Sequence, residues 1–176
     1  MVIEIDFDKI KIRAIKPRDG SLLKEFENKI IAENLLISRK DKRTTEECNL
    51  MVNHMYKDVE KGRGVVLIAE YQDRIVGLSS MFFLRQKSGH IGDFGIMLDK
   101  NFRYQGLGYK LSQSLINMGK EKLDGLDLIQ LGVFAENKPA IKLYEKLGFK
   151  VVARIPNKFK YENRYFEEIL MHLCLN

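Results

Sequence analysis

Apolar and polar residues along this chain switch between a two-residue and a roughly 3.6-residue period, the repeats of strands and helices. Ile10-Lys11-Ile12-Arg13-Ala14-Ile15 alternates and predicts a first strand, broken by Pro17-Arg18-Asp19-Gly20. Leu22, Leu23, Phe26, Ile30 and Ile31 then recur at helical spacing, with Asp19 or Ser21 available as cap. A polar link from Ser38 to Lys42 leads to Thr44-Thr45-Glu46-Glu47, which resembles a helix start. Leu50, Met51, His54, Met55 and Val59 are spaced for that second helix, and Gly62 and Gly64 end it. Val65 to Tyr71 and Ile75 to Leu84 read as a hairpin, joined by a tight turn at Gln72-Asp73-Arg74.

Arg85 to Gly89 turns again, and His90 opens a central strand. Phe94, Ile96 and Leu98 fall on one face of it, and Asp93, Gly95 and Met97 on the other. A polar loop leads to a helix entered at Gly106, with Leu107, Leu111, Leu115 and Met118 as its apolar stripe, and Lys120 to Gly125 closes it. Leu128 to Phe134 is a strand rich in branched residues. Asn137 caps a short helix with Pro139 in its first turn, and Gly148 ends it. Phe149 to Ile155 and Tyr165 to Leu175 are two further antiparallel strands. The order β-α-α-β-β-β-α-β-α-β-β predicts one α+β (mixed α/β) domain over residues 1–176, with no repeat, low-complexity segment or linker to divide it.

Composition narrows the class. A chain of 176 residues, 45% hydrophobic and 31% charged, suits a soluble globular protein with a real core. No apolar run approaches the ~20 residues needed to span a bilayer, so no membrane partner is expected. The early acids of Met-Val-Ile-Glu-Ile-Asp argue against a signal peptide. Cys48 and Cys174 stand far apart among only three histidines, which argues against a disulfide framework or a metal site and suits a cytoplasmic location. The net charge of +6 is spread along the chain rather than clustered, so a solvated basic surface is favoured over nucleic-acid binding.

The central strand, its glycine-containing turn and the following helix N-terminus have the architecture of a phosphate cradle. The first N–H groups of a helix lack internal partners and carry partial positive charge. Gly106 and Gly108 would let a pyrophosphate approach the backbone, and Arg103 would add a fixed charge. The nucleoside-triphosphate loop fits poorly, because Tyr109-Lys110-Leu111 follows Gly108 where Lys-Ser/Thr is needed. A dinucleotide fingerprint would carry a third glycine and open a domain, whereas this turn lies past mid-chain.

Arg103-x-x-Gly106-x-Gly108 after an apolar strand resembles the acyl-CoA pyrophosphate loop of the GNAT superfamily of N-acetyltransferases. One helix and one strand later, Asn137-Lys138-Pro139-Ala140-Ile141-Lys142-Leu143-Tyr144-Glu145-Lys146-Leu147-Gly148-Phe149 resembles that family's second signature, Asn-x-x-Ala-x-x-Leu-Tyr-x-x-x-Gly-Phe. The resemblance runs from about Val65 to the C-terminus. It implies a central, mostly antiparallel, splayed sheet of about seven strands flanked by four helices. It also implies acetyl-CoA as co-substrate, with no metal, and direct acetyl transfer to an amine in a ternary complex. Arg103, Tyr104, Gln105, Gly106, Leu107, Gly108 and Tyr109 would hold the pyrophosphate end. Ile96, Met97 and Leu98 would offer backbone groups to the pantetheine arm along an unpaired strand edge. Asn137, Ala140 and Tyr144 would complete the cofactor side, Asn137 capping its helix, touching the cofactor, or both.

The chemistry sets its own requirements. A lysine-like amine, with a pKa of about 10, must lose a proton before it attacks. The oxyanion that follows needs aimed N–H donors. The leaving thiolate, with a pKa of roughly 8.5 for a cysteine-like sulfur, departs faster if an acid protonates it. Tyr144 suits that last role on the resemblance, a packed aromatic being the alternative. Asp93 and His90 are candidates for taking the amine proton, and His90-Ile91-Gly92-Asp93-Phe94-Gly95-Ile96 looks like a segment of members that acetylate amino acids and other small amines. Both would face one cleft only if a bulge intervened, and Gly92 could permit it. Glu33 and Tyr165 are candidates to line the acceptor pocket. A small amine or amino-acid-like acceptor is favoured over protein N-termini or lysines, and over a non-catalytic acyl-CoA-binding module. Edge strands of such folds often pair, which leaves a homodimer open.

Overall fold

The computed structural model describes residues 6–33 and 41–175. Its strands are β1 (Lys11–Ala14), β2 (Gly64–Tyr71), β3 (Arg74–Phe83), β4 (Ile91–Leu98), β5 (Leu128–Phe134), β6 (Lys150–Tyr161) and β7 (Arg164–Cys174). Its helices are α1 (Gly20–Ile31), α2 (Thr45–Glu60), α3 (Leu107–Lys122) and α4 (Lys138–Lys146). The element order is the one the periodicity predicts. Most of the predicted link from Ser38 to Lys42, and the N-terminal segment Met1-Val2-Ile3-Glu4-Ile5, lie outside the described residues.

The strands form one sheet in the order β1-β2-β3-β4-β5-β7-β6. Every neighbouring pair is antiparallel except β4 and β5. That parallel pair is joined by the crossover helix α3, the connection parallel strands require. Two apolar layers cover the sheet. On one face α3 and α4 bury Leu111, Leu115, Ile116 and Ile141 against Ile129, Leu131 and Phe94. On the other, α1 and α2 bury Leu23, Phe26, Ile30 and Val52 against Val66, Ile68 and Leu78. β2 is covered on both faces, which is why Val65-Val66-Leu67-Ile68-Ala69 is a continuous apolar run rather than an alternating one.

Local chemistry fixes the element ends. The Thr44 hydroxyl accepts from the Glu47 N–H while the Glu47 carboxylate accepts from the Thr44 N–H, a reciprocal cap at the predicted start of α2. Gln72 and Asp73 both take positive φ, which the two-residue hairpin turn between β2 and β3 needs. At α1 the expected cap is not made. Asp19 is buried and accepts instead from the Lys16 N–H at 2.7 Å and from both terminal nitrogens of Arg13 at 2.7 and 2.9 Å. Arg13 also donates to Glu70 at 2.8 Å, so the pair ties β1 and the start of α1 to β2. A buried carboxylate gains more from a two-pronged guanidinium than from one helix N–H.

Removing Asp19 would leave Arg13 partly buried without its main partner. Asp19→Ala should lower unfolding free energy by about 3 kcal/mol, as breaking a buried pair does, measured by urea denaturation. A loss of a few tenths would mean that the pair is only a surface staple.

Candidate functional site

β4 and β5 pair through three residues only, Ile91↔Leu128, Gly92↔Ile129 and Asp93↔Gln130. Beyond Asp93 they part. The N–H of Asp99 donates to Val76 and the carbonyl of Ile91 accepts from Leu84, so odd-numbered residues of β4 turn their backbone groups toward β3. Alternation then turns those of Ile96 and Leu98 into the gap, and those of Met97 away from it. Met97, expected to offer backbone groups there, contributes only its side chain.

The gap opens into a cavity of about 510 Å³ lined by Ile96, Leu98, Arg103, Tyr104, Gly106, Gly108, Tyr109, Asn137, Ala140 and Tyr144, among others. The turn and both helix starts therefore meet at one place, as the two sequence signatures require. Gly106 has φ +89° and no side-chain cap, so the first N–H groups of α3 face the cavity unclaimed. This suits an anionic group, and left-handed backbone at Gly106 is what lets the chain turn them there. Gly108 has a second reason to be glycine: a Cβ there would stand 3.1 Å from Leu98 and 3.3 Å from Leu143, so its absence lets α3 seat against β4 and α4. Tyr104 is exposed at φ +61°, the Gln105 amide donates to the Asn101 carbonyl, and Lys146 lies over the Tyr109 ring at 4.8 Å.

Arg103 borders this cavity, but its guanidinium is already engaged. It donates twice to the Leu98 carbonyl, at 3.0 and 2.7 Å, and once to Glu33 at 2.8 Å. Its role here is to hold the end of β4 rather than to stand as an uncommitted charge. One α-helical turn before Glu33, Lys29 pairs with Asp99, four residues before Arg103. Two ion pairs of opposite polarity thus fasten the end of α1 to the turn after β4. Glu33 is thereby placed beside the cavity, with its other carboxylate oxygen buried and, among the described residues, without a partner.

Tyr144 is buried, edge-on to Phe94 at 6.0 Å between ring centres, and lines the cavity. Burial pushes its phenol up to about 12, so it stays protonated at neutral pH and can donate a proton. The Asn137 side-chain Oδ1 accepts from the Ala140 N–H at 3.3 Å, so it caps α4 while bordering the cavity.

Asp93 and Phe94 are adjacent and point to opposite faces. Phe94 packs on Tyr144, and Asp93 emerges on the α1–α2 face just where β5 departs. Burial and the charge of Glu168 raise the Asp93 pKa above the usual carboxylate value. β4 carries no bulge, so His90 and Asp93 are not brought to one cleft. Gly92 instead makes room in the core, since a Cβ there would meet the Met81 sulfur at 2.7 Å. His90 sits in the turn before β4, at the end of the strand remote from the gap, with its carbonyl accepting from Asp127. The histidine on the row of Asp93 is His172, which faces Gln130 across β5 and β7. Tyr165 is exposed near the β6–β7 turn under Lys160, on the opposite face of β7 from Glu168. Glu168 and His172 were the signals missed; the alternation of β7 carries them, but only the strand order places them beside Asp93.

Gly106→Val should introduce about 1–3 kcal/mol of backbone strain and weaken acetyl-CoA binding roughly tenfold or more, read by titration calorimetry, with cooperative unfolding retained. Unaltered affinity would separate the turn from phosphate binding.

The model of the acetyltransferase (GNAT) family matches residues 32–149. L-amino acid N-acetyltransferase AaaT of Escherichia coli (strain K12) is 39% identical over 67 residues, 38% of this chain and 41% of that protein. L-amino acid N-acyltransferase MnaT of the same organism is 26% identical over 113 residues, 63% of this chain and 64% of that protein. The matched stretches thus span less than two thirds of these curated relatives. The crystal structure of an acetyltransferase of the GNAT family from Streptococcus pneumoniae superposes with a TM-score of 0.85 at 26% identity, covering 94% of this chain and 99% of that one. A phosphinothricin acetyltransferase from Sinorhizobium meliloti, solved in complex with AcCoA, shares the fold with a TM-score of 0.82 at 14% identity, over 95% of this chain and 89% of that one. Matched by the family model over more than half its length, and superposing on the fold of a solved member, the chain belongs to the acetyltransferase (GNAT) family.

Proposed function

We propose that this protein transfers the acetyl group of acetyl-CoA to a primary amine by direct attack in a ternary complex, with a small amine or amino-acid-like acceptor. The observation that carries the reading is the gap between β4 and β5, with Tyr144 on one side of the sheet and Asp93 on the other. A thioester held in the gap would meet its nucleophile from the α1–α2 face and release its thiolate toward α4. The N–H groups at the start of α3 would hold the pyrophosphate, and the backbone of Ile96 and the Leu98 N–H would hold an amide of the arm. Asp93, ionised, takes the amine proton directly or through one water; Tyr144, protonated, gives one to the departing sulfur. The names of AaaT and MnaT, both L-amino acid acyl transferases, support an acceptor of that size. Release of CoA thiol from acetyl-CoA across a panel of primary amines tests the reading. No release with any of them, while acetyl-CoA still binds, would leave a binding module.

Tyr144→Phe keeps the packing on Phe94 and removes only the hydroxyl. Its kcat should fall roughly ten- to a thousandfold with acetyl-CoA affinity nearly unchanged; full turnover would assign the ring to packing. Spectrophotometric titration of the wild type should contain a tyrosine ionisation near pH 12 that Tyr144→Phe lacks.

Asp93→Asn separates a base from an anchor. A base predicts lower kcat with an unchanged KM for the amine; an anchor predicts higher KM with kcat preserved. Because the Asp93 pKa is raised, wild-type activity should fall as pH drops through a value above that of an ordinary carboxylate, and Asp93→Asn should lack this limb. A mutant with wild-type profile and KM would remove Asp93 from the reaction.

A further inference from the structure

The α1–α2 face of the gap has a bare floor. Gly95 on β4 would bring a Cβ no closer than 3.9 Å to another group, so nothing stands over it. On β5, Gly132 is covered by a neighbour: a Cβ there would stand 2.4 Å from Glu168 Oε1. Glu168 is paired in register with Phe134, so its side chain leans along the sheet toward Gly132 and the Asp93 row. Among the described residues, neither Asp93 nor Glu168 has a hydrogen-bond or ion-pair partner. Beside Glu168 stands an aromatic wall, Phe134 stacked on Phe159 at 4.2 Å and edge-on to Phe166 at 6.0 Å.

Resting on the transferase reading above, we propose that Glu168 is a specificity-determining residue. With Asp93 it flanks the acceptor entrance with two carboxylates, and selects amines that carry an apolar or aromatic body and no carboxylate beside the nitrogen. An incoming ammonium is attracted by both carboxylates, whereas a free amino acid would bring a third carboxylate to the same place. The aromatic wall receives the body of the amine, and the glycine floor lets the nitrogen pass between the strands.

The charge of Glu168 also acts on Asp93, raising its pKa, so the two roles share one signature. The charged and titratable groups facing this part of the sheet are Glu168 and His172 from β7, with Arg43 and with Glu47, His54 and Asp58 of α2 lining the groove over Phe82, the β3 partner of Asp93. β5 contributes the neutral Gln130.

The test compares phenylalanine, phenylalaninamide and phenethylamine as acceptors. Wild type should favour the amide and phenethylamine over phenylalanine by roughly tenfold or more in kcat/KM. Glu168→Gln, which keeps shape and removes charge, should narrow that ratio and move the acidic limb of kcat/KM to lower pH. Gly132→Ala, which pushes the carboxylate aside while retaining Glu168, should do the same. A purely structural Glu168 would change stability or kcat but neither ratio nor limb. Equal or better use of phenylalanine by wild type, or an unmoved ratio and limb in both variants, overturns the inference while the transferase reading stands. Absence of thiol release with all three amines overturns the inference; silence across the wider panel of primary amines as well, with acetyl-CoA still bound in calorimetry, removes the transferase reading with it.

Discussion

Parallel pairing between β4 and β5 stops after three residue pairs, and the polar backbone beyond that point has to be satisfied some other way. Arg103 takes up the Leu98 carbonyl with two hydrogen bonds, which ends the strand without closing the gap. The groups left facing the gap are suited to an extended amide ligand, which can take the place of the missing strand. The rest of the site is arranged around this separation. α3 crosses over from β4 to β5, so its uncapped N-terminus must arrive at the mouth of the gap. α4 follows β5 immediately, so Tyr144 must arrive on the same face.

Two consecutive residues face the two sides of the sheet. Asp93 and Phe94 point to opposite faces because a strand has a two-residue period. One therefore emerges on the α1–α2 face, and the other packs on Tyr144 on the face of α3 and α4. In the proposed reaction the base and the acid would then approach the thioester from different sides of the sheet. Burial acts on both: it keeps the phenol protonated and makes the carboxylate more basic, the directions that the proposed roles would need.

The elements themselves were legible because each rests on a strong local signal. The Thr44–Glu47 reciprocal cap, the Gln72-Asp73 turn and the Leu107–Leu111–Leu115 stripe are written in residues close together in sequence. The Arg103-to-Gly108 and Asn137-to-Phe149 signatures carried the cofactor side, where backbone geometry and a few side chains are fixed by local order. What escaped depends on contacts between distant residues. Asp19 reads as a cap until Arg13, from another element, claims it. Gly92 reads as a bulge until Met81 fills the space beside it. Glu168 and His172 are ordinary alternating residues of β7, and become neighbours of Asp93 only because β7 inserts between β5 and β6. The bonds that engage Arg103 are equally hidden, because nothing near it in sequence shows that Glu33, seventy residues earlier, lies within reach.

The paired ion bridges between α1 and the turn after β4 carry a positional code. Lys29 and Glu33 are one turn apart, as are the spacings of Asp99 and Arg103, and each cation meets an anion. Sliding α1 by one turn would set Lys29 against Arg103 or Glu33 against Asp99, like charge against like. The correct docking of the helix is thus distinguished from its nearest mistaken neighbour by repulsion as well as by fit. Since α1 covers one face of the sheet and the turn borders the cavity at the parted strands, the same code fixes where that cavity stands relative to the helix layer before any ligand has bound.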